Sequence, residues 1–359
     1  MKKQSKNRIY VCHTIYHVYV TVLKELNLPQ EQKGQATIVL SRMSNDFGDV
    51  DERLRKSGIF EDVLFFDEKN ETFFTELEQY HTDKGNIAKN LFQRMKFCKL
   101  YAKYEEPYIP VDFKAYKNIY VFCDSDPIGY YLNYKKIHYH AVEDGLDCIR
   151  YYDTAHYDNR GCFRIKAFLA SLNLIFIQNG YSKYCLDMEV NDISVLQYPY
   201  KKYIEQPREE LVKRLSGAEQ DIIVHIFVKN IEALMTQLQN LPADKEKILI
   251  LTEPLCTLDV REQIFKDIIE TYGQNGLVIM KPHPRDLLDY ETIFNEHIIL
   301  DGKFPMEILN FIPDLVFDKV ITVFTPSDAI HFAKEKIILG EDFMDQYEAP
   351  EIHRQNELI

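Results

Sequence analysis

Short apolar runs alternate with longer amphipathic stretches along most of this chain, and no feature restricts the fold more. RIYVCHT at 8–14 reads as a strand and 15–26 as an amphipathic helix. Residues 36–41 and 63–66 read as strands on either side of a helical 50–57. A long helical region follows at 71–104, its apolar residues three and four apart, with a break at Lys84-Gly85. Residues 118–123 and 137–142 are two more buried strands. Between them Asp126-Pro127 opens a helix, a capping residue followed by proline in the first turn. Strand and helix in alternation imply a parallel sheet with helices on both faces.

The rhythm loosens over 150–203, where DTAHYDNRG is polar and YPYKKYIEQPRE carries prolines and mixed charge. A domain boundary is expected there, near residue 200, giving an N-terminal domain 1–200 and a C-terminal domain 201–359. Beyond it the alternation resumes. Residues 221–228 read as a strand, 230–241 as a helix, 247–251 as a strand, and 260–272 as a helix closed by Gly273 and Gly276. Strand 277–280, short helix 306–311, strand 319–324, helix 328–333 and strand 336–339 complete the series. The acidic tail 340–359 is expected to pack as a last helix or to fray. The fold class is therefore α/β, with two doubly wound, Rossmann-like domains. By analogy of fold, two such domains facing across a cleft form the architecture called GT-B in glycosyltransferases.

Composition supports a two-domain globular protein and excludes other classes. At 359 residues the chain exceeds one ordinary core. Its formal charge of −13 argues against a general nucleic-acid binder, which needs a basic field. The 24 Tyr and 22 Phe leave aromatic packing or sugar stacking available. The seven cysteines are scattered without a CxxC pair, as free cytosolic thiols would be. The basic, partly apolar start is interrupted by His13, Tyr16, His17 and Tyr19 and has no small-residue cleavage site, so it is not read as a signal peptide. No stretch has the length of a membrane span, and a cytoplasmic protein is expected.

Four segments carry residues with chemistry. Val142-Glu143-Asp144-Gly145 ends a buried strand, where neighbouring carboxylates point to opposite sides and glycine permits a sharp turn. Asp144 is placed there as a general base or, more plainly, as a helix-capping aspartate. LVIMKPHPR at 277–285 runs a strand into a turn whose two prolines fix φ on either side of His283. Such strand edges are where open α/β sheets place ligands. An imidazole titrating near neutrality can donate to, or protonate, a leaving phosphate, with Lys281 and Arg285 adding positive charge. The plainer alternative is a stiff surface turn with a solvated histidine. FPMEIL at 304–309 puts Glu307 in the first turn of a helix, where a carboxylate suits the helix dipole and could also accept from a ribose diol. At 320–328 a strand empties into Thr325-Pro326-Ser327 before a helix, so hydroxyls and free N–H groups form either a phosphate site or an ordinary cap.

Other motifs are missing. There is no Walker loop, GxGxxG, zinc-type ligand spacing or GxSxG elbow. Asp124-Ser125-Asp126 looks like a DxD metal–diphosphate motif, but Pro127 follows at once and a helix start is the better reading. No metal or other cofactor is expected.

Taken in order, EDG, LTEPL, KPHPR, FPMEIL and TPS resemble bacterial sialyltransferases of the GT-B type, above all the lipooligosaccharide sialyltransferases of glycosyltransferase family 52. The resemblance covers most of the chain as an ordered pattern of short motifs. It implies an inverting sialyltransferase that uses CMP-sialic acid as donor and a hydroxyl of a surface glycan, lipooligosaccharide or capsule, as acceptor. His283 then meets the CMP phosphate as general acid. Thr325 and Ser327 match the hydroxyl pair on the same phosphate, although Thr-Pro-Ser replaces two adjacent serines. Glu307 matches the glutamate on the cytidine ribose. Lys281, Pro284 and Thr252 complete the expected nucleotide contacts. Asp144 matches the acceptor-activating base. Asp259, a little over twenty residues before the histidine, matches a base assigned within family 52, so both stay open. His13, Thr14, Glu143, Gly145 and Arg285 are expected on the substrate side, with Tyr16 and His17 nearby. The resemblance also implies a homodimer and a peripheral contact at the inner face of the membrane. A hexosyltransferase of the same family, or a non-catalytic nucleotide- or sugar-binding protein, is the alternative.

Overall fold

The computed structural model describes residues 6–43, 45–122, 124, 126–145, 148–149, 162–177, 179–196, 202–242, 244–274 and 276–353. The chain divides into two compact units, Met1–Leu215 and Ser216–Ile359.

Among the described residues the first unit is built on seven strands: β1 (Lys6–Cys12), β2 (Ala36–Ser41), β3 (Phe60–Phe66), β4 (Tyr116–Phe122), β5 (Tyr139–Val142), β6 (Cys185–Val190) and β7 (Tyr203–Glu205). They form one sheet in the order β3-β2-β1-β4-β5-β6-β7, every pair parallel. Around it lie α1 (Ile15–Leu26), α2 (Val50–Ser57), α3 (Ile87–Glu105), α4 (Pro127–Lys135), α5 (Phe163–Ser171) and α6 (Arg208–Lys213). The central strands are near-continuous apolar runs because both faces are covered. Ile9, Val11, Val39, Ile119 and Val121 are fully buried or nearly so. Each such side chain gains about 1.5–3 kcal/mol on leaving water.

Two local features fix the entry to this unit's carboxyl edge. Thr14 caps α1, its hydroxyl accepting from His17 N at 3.2 Å. Gly129 lies where a Cβ would stand 1.8 Å from Asp124 O, so only glycine lets α4 start against β4. The strand order reverses between β1 and β4, which makes the gap between their carboxyl ends the topological switch point.

The second unit repeats the pattern with β8 (Glu246–Leu251), β9 (Gly276–Lys281), β10 (Ile298–Ile299), β11 (Phe317–Thr322) and β12 (Ala333–Ile338). The order is β10-β9-β8-β11-β12, again all parallel, with the reversal between β8 and β11. Its helices include α7 (Gly217–Phe227), α8 (Ile231–Gln239) and α9 (Leu258–Tyr272). No helix among the described residues is long and apolar enough to cross a membrane.

Several sequence expectations need correction. Residues 221–228 are not a strand but most of α7, started by a capping box in which Ser216 and Glu219 exchange hydrogen bonds. The helix expected at 328–333 is a single 3-10 turn, Ser327–Ala329, and Ala333 already begins β12. The loosened region contains β6 and runs into β7, the last two strands of the first sheet. The polar segment 153–161, Cys123 and Ser125 lie outside the described residues.

Candidate active site

In the second unit the chemistry gathers past the carboxyl ends of β8, β9 and β11. β9 delivers Lys281, a buried ammonium whose Nζ donates to Pro282 O at 2.8 Å and lies 4.3 Å from the Phe304 ring centroid. Burial holds it down to about 7, against the pull of Asp301 and Glu307. The turn that follows is pinned from β8: Thr252 Oγ1 accepts from His283 N at 3.0 Å. Arg285 N donates to His283 Nδ1 at 3.1 Å. That bond uses the Nδ1 lone pair, so the neutral ring carries its proton on Nε2. Burial, reinforced by the charges of Arg285 and Lys281, lowers His283 to about 4. His283 is thus a neutral hydrogen-bond donor, oriented by its own backbone.

Asp286 locks the turn in place. It accepts from Arg261 Nη1 at 2.5 Å, Leu288 N at 3.1 Å and Tyr290 Oη at 2.8 Å, and from Thr252 Oγ1 at 3.5 Å. Arg261 also reaches back to Leu255 O and Cys256 O. The LTEPL and KPHPR segments are therefore one structural piece, tied through a buried ion pair.

Glu253 fills the switch point between β8 and β11. Its carboxylate accepts from Val323 N at 3.2 Å, Phe324 N at 3.0 Å, Thr325 N at 2.9 Å and Thr325 Oγ1 at 2.8 Å. The expectation of free N–H groups ahead of a helix is corrected here. The N–H groups of 323–325 are taken by Glu253, the Thr325 hydroxyl proton goes to the same carboxylate, and no full helix follows. Ser327 begins the 3-10 turn; its side chain lies outside the described residues. Glu307 occupies the first turn of the 3-10 helix Met306–Phe311 and is half-buried. Burial raises its carboxyl, its own N–H and the Lys281 charge opposing. Pro284 is half-buried and Arg285 exposed. Asp259 stands on the exposed first turn of α9, where a bond with Thr257 holds it below the ordinary carboxylate range.

The first unit gathers its chemistry at its own switch point. His13, one residue past β1, has Nε2 at 2.8 Å from Glu68 Oε2 and 3.3 Å from Asp126 Oδ2. Glu68, two residues past β3, also accepts from Ser41 Oγ at 2.5 Å and Ile128 N at 2.9 Å. Burial opposes a charge on His13, but Asp126 and Glu68 outweigh it and raise the imidazole to about 9. Among the described residues its buried Nδ1 has no hydrogen-bond partner. Asp126 was expected to cap α4; instead its side chain makes no capping bond and faces His13. Burial pushes it up, and the His13 charge pulls the other way. Asp124 is a framework residue whose carboxylate accepts from Asn179 N, Gly180 N and Tyr139 Oη.

The EDG turn splits as strand geometry demands. Glu143 points inward, is buried, and accepts from Asn191 N at 2.6 Å. Asp144 keeps a side chain 34% exposed and hydrogen-bonds His17 Nε2 through Oδ1. Gly145 has φ +155°, a conformation L side chains rarely adopt. Thr14 is committed to the α1 cap, and His17 is fully buried.

The structure thus brings His13, His17 and Asp144 together in one unit and Thr252, Lys281 and His283 in the other. Sequence reasoning missed Glu68, Asp126 as a partner of His13, Glu253, Arg261 and Asp286. The available signal was position: most are polar residues within a few places of a strand's carboxyl end.

Residues 61–341 match Glycosyltransferase family 52. Over 158 residues the chain is 29% identical to an uncharacterized protein of Haemophilus influenzae, a match covering 43% of this chain and 44% of that protein. It therefore spans less than half the length of that relative. Among solved structures it resembles an alpha/beta-galactoside alpha-2,3-sialyltransferase of Photobacterium phosphoreum at 15% identity and TM-score 0.52, over 94% of this chain and 91% of the other. It also resembles a Photobacterium 2,6-sialyltransferase, solved with CMP and lactose, at 10% identity and TM-score 0.54, over 98% and 77%. At these identities the likeness is one of fold, the α/β GT-B class. The family match takes in residues of both sheets, and the chain belongs to glycosyltransferase family 52.

Proposed function

We propose that this chain is an inverting sialyltransferase, moving a sialyl residue from CMP-sialic acid to a galactoside hydroxyl on a surface glycan such as lipooligosaccharide or capsule. The observation that carries this reading is His283, locked as a neutral Nε2–H donor at the carboxyl end of β9 beside Lys281. Such a donor suits an oxygen that gains charge as its bond breaks. The Photobacterium 2,6-sialyltransferase of like fold holds CMP and lactose, which supports a CMP-linked donor and a galactoside acceptor.

The reaction assigns roles as follows. Asp144 takes the proton of the acceptor hydroxyl, and that oxygen forms the new bond to the anomeric carbon. The bond from that carbon to the CMP phosphate breaks, its electron pair staying on the phosphate oxygen. His283 Nε2–H stabilises that oxygen by hydrogen bonding. Passing on a full proton would leave an imidazolate, and reprotonation through Nδ1 would break the bond from Arg285 N. Lys281 lends positive charge, Glu307 receives the ribose, and Ser327 joins the phosphate contacts. Thr252 and Pro284 set the turn. Asp144 is preferred to Asp259 as base because Asp259 is engaged with Thr257 on a solvent-facing helix turn. With a single phosphate to neutralise, these side chains suffice without a metal. Residues 1–200 would serve the acceptor and 201–359 the donor. A cytoplasmic enzyme meeting a membrane-borne acceptor at the inner face, as a homodimer, is the setting this reading implies.

The test is release of CMP from CMP-sialic acid by the purified protein with lactose as acceptor. Wild type should release CMP and His283→Ala should not. Thermal stabilisation by UDP and not by CMP would overturn the donor assignment.

A further inference from the structure

His17 is fully buried, and its side chain hydrogen-bonds Asp144 from the protein side. Its ring stacks on Phe122 with centroids 4.5 Å apart and planes at 13°, which fixes the ring plane. His13 N donates to His17 Nδ1 at 3.0 Å, which fixes the tautomer. With Nδ1 accepting, a neutral ring carries its proton on Nε2, and Nε2 is the atom against Asp144 Oδ1. The donor is therefore preset by β4 on one side and by the end of β1 on the other. Thr14, capping α1 through His17 N, sets where along the helix the ring leaves the backbone.

The surroundings make such a donor matter. Among the described residues, His13, Asp126, Glu143 and Cys148 each interact electrostatically with Asp144, with Glu68 and Asp124 behind Asp126. The carboxyls among them disfavour another negative charge beside them, whereas the His13 imidazolium favours it. A fixed N–H donor favours the ionised form of the carboxyl it meets.

We propose that His17 is the positioning residue of the acceptor base: a permanently neutral, Nε2-protonated imidazole that orients Asp144 and keeps it ionised. This deepens the reading of Asp144 as base and rests on it. His17 does not touch substrate and takes up no proton in the cycle. It acts through Asp144 alone, so its loss separates acceptor activation from donor binding.

Three variants and one spectrum test this. His17→Leu removes the donor and should lower kcat for transfer on the order of 100-fold, as a misplaced catalytic group does. The acidic limb of its pH profile should move to higher pH, because Asp144 loses a bond that favours its charged form. Affinity for CMP should stay as in wild type. His17→Gln, which keeps an N–H near the Nε2 position, should recover most of the rate and the acidic limb. Independently of turnover, imidazole nitrogen NMR of the full chain should show His17 neutral and protonated on Nε2, with signals that shift in Asp144→Asn. An acidic limb unmoved in His17→Leu, or a His17 protonated on Nδ1, overturns the proposal. Absence of CMP binding in the wild type would instead overturn the donor reading, and the nitrogen spectrum would still decide the His17–Asp144 pair.

Discussion

Glu253 offers the sharpest structural perturbation. One buried carboxylate holds three successive N–H groups and a hydroxyl at 323–325, across the switch point of the second sheet. Glu253→Ala leaves all four donors without that acceptor. A buried donor left unsatisfied costs about 1–3 kcal/mol. Phe324 and Thr325 are only half-buried and water can replace part of what they lose. The expected loss is then about 3–5 kcal/mol rather than the full sum. Glu253→Gln keeps one acceptor oxygen. Placed as Oε1 it retains four of the five contacts and loses the Phe324 bond to Oε2 at 3.1 Å along with the charge, at about 1–2 kcal/mol. Urea unfolding of the full chain, followed by far-UV circular dichroism because there is no Trp, measures both. With a slope of about 2–3 kcal/mol/M, the alanine variant should unfold about 1–2 M earlier and the glutamine variant by well under half of that. CMP affinity should fall in the same order, since the clamped turn leads into Ser327. An alanine variant with the wild-type midpoint would refute the clamp.

Three further outcomes are expected. His283 should stay neutral in an NMR titration until the pH nears 4. Since an unfolded histidine protonates near 6.5, its contribution to stability is fully present above about 6.5 and is lost as pH falls toward 4. Unfolding midpoints of wild type and His283→Gln should therefore converge over that interval. Asp286→Ala leaves Arg261 as an unpaired buried charge and should cost about 3–5 kcal/mol in urea unfolding. Gly129→Ala sets a methyl 1.8 Å from Asp124 O, and urea unfolding of the variant should show a loss of at least about 1–3 kcal/mol.

Much of the fold was legible because parallel strands buried on both faces are simple apolar runs. DIIVHIFV at 221–228 shows where that rule fails. A short, largely apolar stretch does not distinguish a buried strand from a buried helix. The deciding signal was Ser216 with Glu219 three places on, which starts α7. β6 and β7 were missed because CLDMEV and YIE are short and half-polar. In the site, His283, Lys281 and Asp144 stood out as polar residues where an apolar run ends. Their partners did not. His17 meets Asp144 across 127 residues, His13 meets Glu68 across 55, and Glu253 meets Thr325 across 72. Only the strand order brings these together, and composition and spacing do not encode that order. For the same reason Asp126 looked like a helix cap. Locally it is one by position, but in three dimensions His13 competes for its carboxylate.

A crystal structure of this protein with CMP would decide whether His283 meets the donor phosphate. One nucleotide should bind in the second unit, with its phosphate within hydrogen-bond distance of His283 Nε2 and its ribose hydroxyls on Glu307. A nucleotide bound elsewhere, or a phosphate that leaves His283 untouched, would contradict it.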